Sequence, residues 1–292
     1  MEAGMGGRSD ATAAFNGEMT VITPISLDHI EYLGATLGEI GREKAGIIKH
    51  GTVVISAEQP DVVHLAIEEQ CRAASCKLKT LGKDFLIERN PDGSLDYRGM
   101  SITLTRLMPG ISGQYQSQNA AVALAAAESL YSGGISIAPS AYKEGISKAY
   151  WPGRMELVPG VPRLLLDGAH NPAGALALAE ALQKYSYSKL LLVTGVCEDK
   201  DICRIYEPLM PLIDSVYTVT PAVERALKDE DLSLFFHRNG IATQSCGSVV
   251  SGLCKARSEA SEDDLILICG SLYVVGEVKA WLENTHFDGI RG

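Results

Sequence analysis

The stretch Leu164-Leu165-Leu166-Asp167-Gly168-Ala169-His170-Asn171-Pro172 sets a carboxylate, an imidazole and an amide between an apolar run and a proline. Proline suits the first position of a helix and asparagine is a natural N-cap. A buried strand that ends in polar residues at a helix N-terminus suits a phosphate or carboxylate, because the first N–H groups of a helix lack intrahelical partners. Further stretches could also carry chemistry. Glu2 to Thr12 (EAGMGGRSDAT) contains Gly4, Gly6 and Gly7, which let backbone approach a ligand closely. A plain tight turn explains it equally well. It is not a Walker A loop, and no Gly-Lys-Ser/Thr triplet occurs in the chain; Gly82-Lys83-Asp84 comes nearest and lacks the hydroxyl. Ser26-Leu27-Asp28-His29 follows an apolar run, and open α/β sheets hold ligands at the carboxyl ends of their strands. On residue chemistry alone, Asp28 reads as a helix N-cap with His29 at the surface. Arg42 to Lys49 (REKAGIIK) reads as a helix with charge on one face.

The elements that must position these residues follow from hydrophobic periodicity. Strands are expected over 19–25 and 53–57, and helices over 36–45, 62–75 and 118–130. Residues 77–105 read as β-rich, with a turn at Asn90-Pro91-Asp92-Gly93. Beyond Pro152 the pattern becomes regular. Strands at 163–166, 189–195, 215–220, 241–246 and 265–269 alternate with helices at 172–185, 203–212, 231–238, 249–258 and 272–282. Such alternation predicts a parallel α/β sheet. The break at Tyr150-Trp151-Pro152-Gly153 marks the expected boundary between domains spanning 1–152 and 153–292.

Composition narrows the function classes. A formal charge of -10 argues against general binding to nucleic acid or anionic membrane. The cysteines form no Cys-x-x-Cys pair and read as reduced, buried thiols of a cytoplasmic protein. No apolar run is long enough to span a bilayer, and the residues after Met1 do not read as a secretion signal.

Taken together, EAGMGGRSDAT, SLDHIEYLGATLGEIGREKAGIIK, GQYQSQNAA, PGRME, LLLDGAHNPAG, GVCEDKD and CGSLYVVGEV make the chain resemble the folylpolyglutamate synthase and dihydrofolate synthase family of the Mur ligase superfamily. The resemblance runs from Glu2 to Val278. It implies an α/β protein in which a P-loop-type ATP-binding domain, incomplete here, precedes a Rossmann-like glutamate-binding domain. It implies an ATP-dependent ligase that joins L-glutamate to folate or dihydropteroate. ATP would phosphorylate the carboxylate, and the glutamate amine would attack the acyl phosphate. In the family a phosphate-binding Gly-x-x-Gly-Lys-Ser/Thr loop comes before the EAGMGGR-like stretch, so the 292 residues alone are expected not to turn over ATP.

The resemblance also assigns roles. Glu2 and His29 would ligate magnesium. Imidazole is an unusual ligand for so hard a cation. Lys44 matches the lysine that is carbamylated in the family. Asn119 would contact adenine, Arg154 the phosphates, and Asp167 the nucleotide from the second domain. His170 would sit near the phosphates or the acyl phosphate. Ser9, Asp10 and Ala11 match a stretch that lines the pterin site. Ser271 matches a serine near the incoming glutamate, and helix capping is its simpler reading. The expected partners are small molecules only, and the family suggests a monomer. Departures exist: Ala13 follows Asp10-Ala11-Thr12 where the family often has Asn, and Val223-Glu224-Arg225-Ala226 replaces an Asn-Pro-Arg-Ala stretch. Two other readings remain: a non-catalytic nucleotide- or folate-binding relative, and a ligase of the superfamily acting on a cell-wall amino acid.

Overall fold

The computed structural model of the chain describes residues 1–113 and 115–287. Gln114 of the GQYQSQNAA stretch lies outside them. The chain divides into two compact units, Met1–Gly110 with Gln114–Tyr150, and Ile111–Gly113 with Trp151–Gly292.

In the first unit β1 (Met19–Ile22), β2 (Val53–Ser56) and β3 (Lys77–Thr80) form a parallel sheet in that order, with Met19 opposite Val53 and Val53 opposite Lys77. Between β1 and β2 run the short α1 (Ile30–Leu33) and α2 (Leu37–Ala45). Thr36 and Glu39 close a reciprocal capping box at the start of α2, and the chain turns at Gly46 as expected. Ile40 of α2 packs with Val54 and with Val63 and Ile67 of α3 (Asp61–Ala73), all fully buried. The expectation that Asp28 caps a helix is corrected. His29 occupies the N-cap of α1 in left-handed conformation with no side-chain cap bond, and Asp28 instead accepts the His29 N–H at 2.9 Å.

An antiparallel meander follows: β4 (Leu86–Arg89), β5 (Leu95–Arg98) and β6 (Thr103–Leu107). It packs Leu95, Tyr97 and Leu107 against Ala121, Val122 and Ala125 of α4 (Gln116–Ser132). Glu128 of α4 is buried beneath the meander. It accepts hydrogen bonds from Tyr97 Oη (3.0 Å), from the N–H groups of Met100 and Ile102 (3.0 Å each), and from both the N–H and the hydroxyl of Ser101. So many donors compensate a buried carboxylate and fix the β5–β6 turn to α4. A helix α5 (Pro139–Lys148) completes the unit.

The second unit is a six-stranded sheet in the order β11-β10-β9-β12-β8-β7. Its strands are β7 (Glu156–Val158), β8 (Arg163–Leu166), β9 (Leu190–Thr194), β10 (Ser215–Thr218), β11 (Ala242–Ser245) and β12 (Leu265–Cys269). Helices α6 (Pro172–Leu182), α7 (Ile202–Tyr206), α8 (Asp229–Arg238) and α9 (Val249–Glu259) lie between successive strands from β8 to β12, and α10 (Leu272–Leu282) follows the last. Every residue of β9 and β12 is buried, as expected of central strands covered on both faces. The expectation of an all-parallel sheet is corrected at one edge, where β7 runs antiparallel to β8 and sets Glu156 opposite Leu166. The last strand, β12, returns between β8 and β9, so the strand order reverses there. Ligands in open α/β sheets sit at such a reversal, beyond the carboxyl ends of the strands.

Candidate functional site

In the first unit the glycine-rich loop folds back on itself and onto α2. Asp10 Oδ2 accepts the N–H groups of Gly4 and Met5 at 2.9 and 3.0 Å. Its Oδ1 accepts both the N–H (2.8 Å) and the hydroxyl (2.6 Å) of Thr12. These donors pull the Asp10 carboxyl down to about 2, the Thr12 hydroxyl contributing most. Farther along, the Arg8 N–H donates to the Glu43 carbonyl at 3.0 Å and the Ser9 N–H to Glu43 Oε1 at 3.2 Å. A Cβ on Gly7 would stand 2.6 Å from the Lys44 carbonyl oxygen, so Gly7 is required for the loop to lie on the end of α2. The glycine thus admits the protein's own backbone.

A cleft of about 630 Å³ opens beside this loop, along β1. Its lining includes Glu2, Gly6, Thr12, Thr20, Lys44 and Lys49. Lys44 is half-buried, unlike the exposed helix lysine that amphipathicity alone suggests. Glu2 and Lys44 therefore share one cleft, and His29 is not among its lining residues. Ser9 and Ala11 are exposed on the loop, and Asp10 spends both oxygens closing it. Asn119 lies in the first turn of α4, where its Nδ2 donates to Gln116 Oε1 at 2.9 Å.

Among the described residues no group of three or more His, Cys, Asp or Glu side chains is placed to hold a metal ion. Magnesium is commonly held by one or two carboxylates together with phosphates and water. The exposed Glu2 carboxylate fits that pattern as a single ligand.

The second unit gathers the other residues at the carboxyl ends of β8 and β12. Asn171 accepts the Gly174 N–H at 2.8 Å and caps α6, with Pro172 at its first position, as the sequence predicts. Asp167 is buried and accepts the N–H groups of Met155 and Ala169, each at 2.9 Å. The Gly168 N–H donates to the Gly153 carbonyl at 2.8 Å, which brings the Arg154 turn over the end of β8. A Cβ at Gly168 would lie 3.2 Å from Arg154 Nη1, so the guanidinium passes directly across this loop. His170 Nδ1 lies 2.8 Å from the Gly168 carbonyl. A carbonyl only accepts, so Nδ1 carries the proton and the lone pair of the neutral ring is on Nε2. The Gly270 N–H donates to the Ala169 carbonyl at 2.9 Å and joins the β12 loop to the β8 loop. Ser271, buried, caps α10 by accepting the Tyr273 N–H at 3.2 Å. Capping thus occupies one lone pair of its hydroxyl.

Arg225 lies beyond the carboxyl end of β10 and hydrogen-bonds the Tyr273 side chain, which holds its guanidinium firmly protonated. Glu277 of α10 accepts the Ala222 N–H at 2.7 Å and braces the same loop. Burial raises the Glu277 carboxyl above the ordinary range. Sequence reading passes over Tyr273 and Glu277, because nothing at the sequence level ties α10 to the β10–α8 loop.

The chain is similar to known proteins. Residues 153–272 match the Mur ligase glutamate ligase domain. A dihydrofolate synthase/folylpolyglutamate synthase of Haemophilus influenzae is 30% identical over 97% of this chain and 68% of its own. The chain belongs to the folylpolyglutamate synthase/dihydrofolate synthase family. Among solved structures, the Mycobacterium tuberculosis folylpolyglutamate synthase complexed with ADP and AMPPCP superposes with a TM-score of 0.88. It is 31% identical, over 96% of this chain and 67% of that one. Escherichia coli FolC in complex with DHPP and ADP gives a TM-score of 0.87 at 30% identity, over 97% and 65% of the two chains. The curated relatives are longer proteins, of whose lengths the chain spans from 34% to 68%.

Proposed function

We propose that this chain serves an ATP-dependent ligase that adds L-glutamate to folate or dihydropteroate through an acyl phosphate. The observation that carries the reading is the convergence of Arg154, His170 and Ser271 where helices α6 and α10 begin, at the reversal of strand order in the second unit. Helix N-termini and a guanidinium favour anions there. The ligands of two similar structures, ADP in both and DHPP in one, agree in kind.

On this reading Arg154 meets the nucleotide phosphates and offsets charge as the phosphoryl group transfers. His170 faces the phosphates or the acyl phosphate. Ser271 offers its hydroxyl hydrogen to a carboxylate of the incoming glutamate. Asp167 acts from beneath, because its oxygens are taken by backbone N–H groups. In the first unit Asn119 meets adenine, Ser9 to Ala11 border the pterin, and Glu2 supplies one ligand to magnesium. Bound magnesium would neutralise charge on the phosphate oxygens. Lys44, deprotonated, could take up CO2 as a carbamate, exchanging a positive for a negative charge in the Glu2 cleft. The cytoplasm is the expected location; among the described residues no helix is long and apolar enough to cross a membrane.

Titration with ADP tests the reading at its carrying residue. Arg154→Ala should weaken ADP binding by tenfold or more, about 1.4 kcal/mol or above, while leaving the melting temperature of the second unit nearly unchanged. Unaltered affinity in this variant would remove Arg154 from the phosphate site.

A further inference from the structure

The turn that carries Arg154 is held in an unusual backbone shape by two carboxylates, Glu156 next to it in sequence and Asp167 at the end of β8. Gly153 (φ +68°) and Met155 (φ +47°), on either side of Arg154, both occupy the left-handed region. For Met155 this conformation is unfavourable unless its surroundings impose it. Asp167 imposes it from one side by accepting the Met155 N–H at 2.9 Å. From the other side Glu156 Oε2 accepts the Gly153 N–H at 2.7 Å. The second oxygen of Glu156 receives Lys279 Nζ of α10, also at 2.7 Å. This ion pair is largely shielded, its side chains 13% and 19% exposed. Lys279 also lies 3.4 Å from Glu283, so its charge is shared along the exposed side of α10.

We infer that Glu156, held by Lys279, is a positioning residue for Arg154. It fixes the Gly153 N–H, and with it the direction in which the guanidinium leaves the backbone. A salt bridge that only joined β7 to α10 would need no bond to Gly153. The antiparallel register of β7, which sets Glu156 opposite Leu166, delivers its carboxylate beside the Asp167 loop. The inference rests on the proposed role of Arg154 at the nucleotide phosphates.

The test is a set of ADP titrations on the full chain carrying Glu156→Leu, Glu156→Gln, Arg154→Ala, and Glu156→Leu combined with Arg154→Ala. Leucine removes both acceptors, whereas glutamine keeps one for Gly153. Glu156→Leu should weaken ADP binding roughly three- to tenfold, Glu156→Gln should retain most of the affinity, and the double variant should bind as Arg154→Ala does. Amide hydrogen exchange supplies a readout without nucleotide: Gly153 and Met155 should lose protection in Glu156→Leu and keep it in Glu156→Gln. The inference is overturned if Glu156→Leu weakens binding equally with and without Arg154, or if exchange at Gly153 and Met155 is unchanged. No effect of Arg154→Ala on ADP would overturn the role of Arg154 itself, an outcome recognised by that single variant alone.

Discussion

The Met155 N–H donates to Asp167 Oδ2 at 2.9 Å, and this bond ties the Arg154 turn to the end of β8. The other oxygen of Asp167 accepts the Ala169 N–H, so one buried side chain organises both loops of the candidate site. Asp167→Ala would leave two N–H groups without this acceptor. A loss of about 2–3 kcal/mol in unfolding free energy of the second unit is expected. Asp167→Asn should lose less, since its amide oxygen still accepts one bond. Urea denaturation followed by tyrosine fluorescence measures both.

Gly7 offers a test of the loop in the first unit. Its missing Cβ makes room for the Lys44 carbonyl and for the Glu43 carbonyl, 2.6 and 2.9 Å from where that carbon would sit. Both obstacles are backbone at the end of a helix and cannot rotate away. Gly7→Ala should therefore lift the loop from α2, cost about 1–3 kcal/mol in stability, and expose Lys44. Faster labelling of Lys44 by an acylating reagent, read by mass spectrometry, would report the lifted loop.

The closure of that loop should depend on pH through Asp10. Its carboxyl is pulled down to about 2 by the Thr12 hydroxyl and by backbone N–H groups. A lowered folded-state value means stability that is fully present above the ordinary aspartate range and is lost as pH falls through about 2. Amide resonances of Gly4, Met5 and Thr12 should shift together in that acid range. In Asp10→Asn they should stay constant with pH.

Glu277 should act with the opposite sign. Burial raises its carboxyl, and the single bond from Ala222 does not offset that. A raised value gives a contribution that is fully present below the ordinary glutamate range and is lost as pH rises through the folded-state value. Glu277→Gln keeps an acceptor for Ala222 and never ionises. Its urea midpoint should equal that of the parent under acid conditions and exceed it near neutrality.

The regular strands and helices after Pro152 were legible because each apolar run is bounded by polar punctuation. β8, β12 and the start of α6 fall where their residues place them. β7 was not legible, since Glu156-Leu157-Val158 is too short to show a period and its partner is fixed by register with β8. The role of His29 as the left-handed N-cap of α1 escaped for a similar reason: a helix of four residues leaves little pattern. The roles of Glu128 and Glu156 were not legible either, because Glu128 takes its donors from the β5–β6 segment and Glu156 binds Lys279 of α10. The Glu156–Lys279 contact spans 123 positions, a separation that local periodicity does not encode. Candidate residues were recognisable as motifs; their support from beneath became visible only in three dimensions.

The central claim is glutamate transfer, and its most direct measurement is product analysis. The protein, purified at its native length, would be incubated with ATP, magnesium, L-glutamate and either dihydropteroate or tetrahydrofolate, and the products resolved by mass spectrometry. The predicted result is a pterin product longer by one glutamyl unit, formed with ADP in equal amount and lost in Arg154→Ala. Nucleotide or folate bound without any glutamyl product, or transfer of a different amino acid in place of glutamate, would contradict the claim.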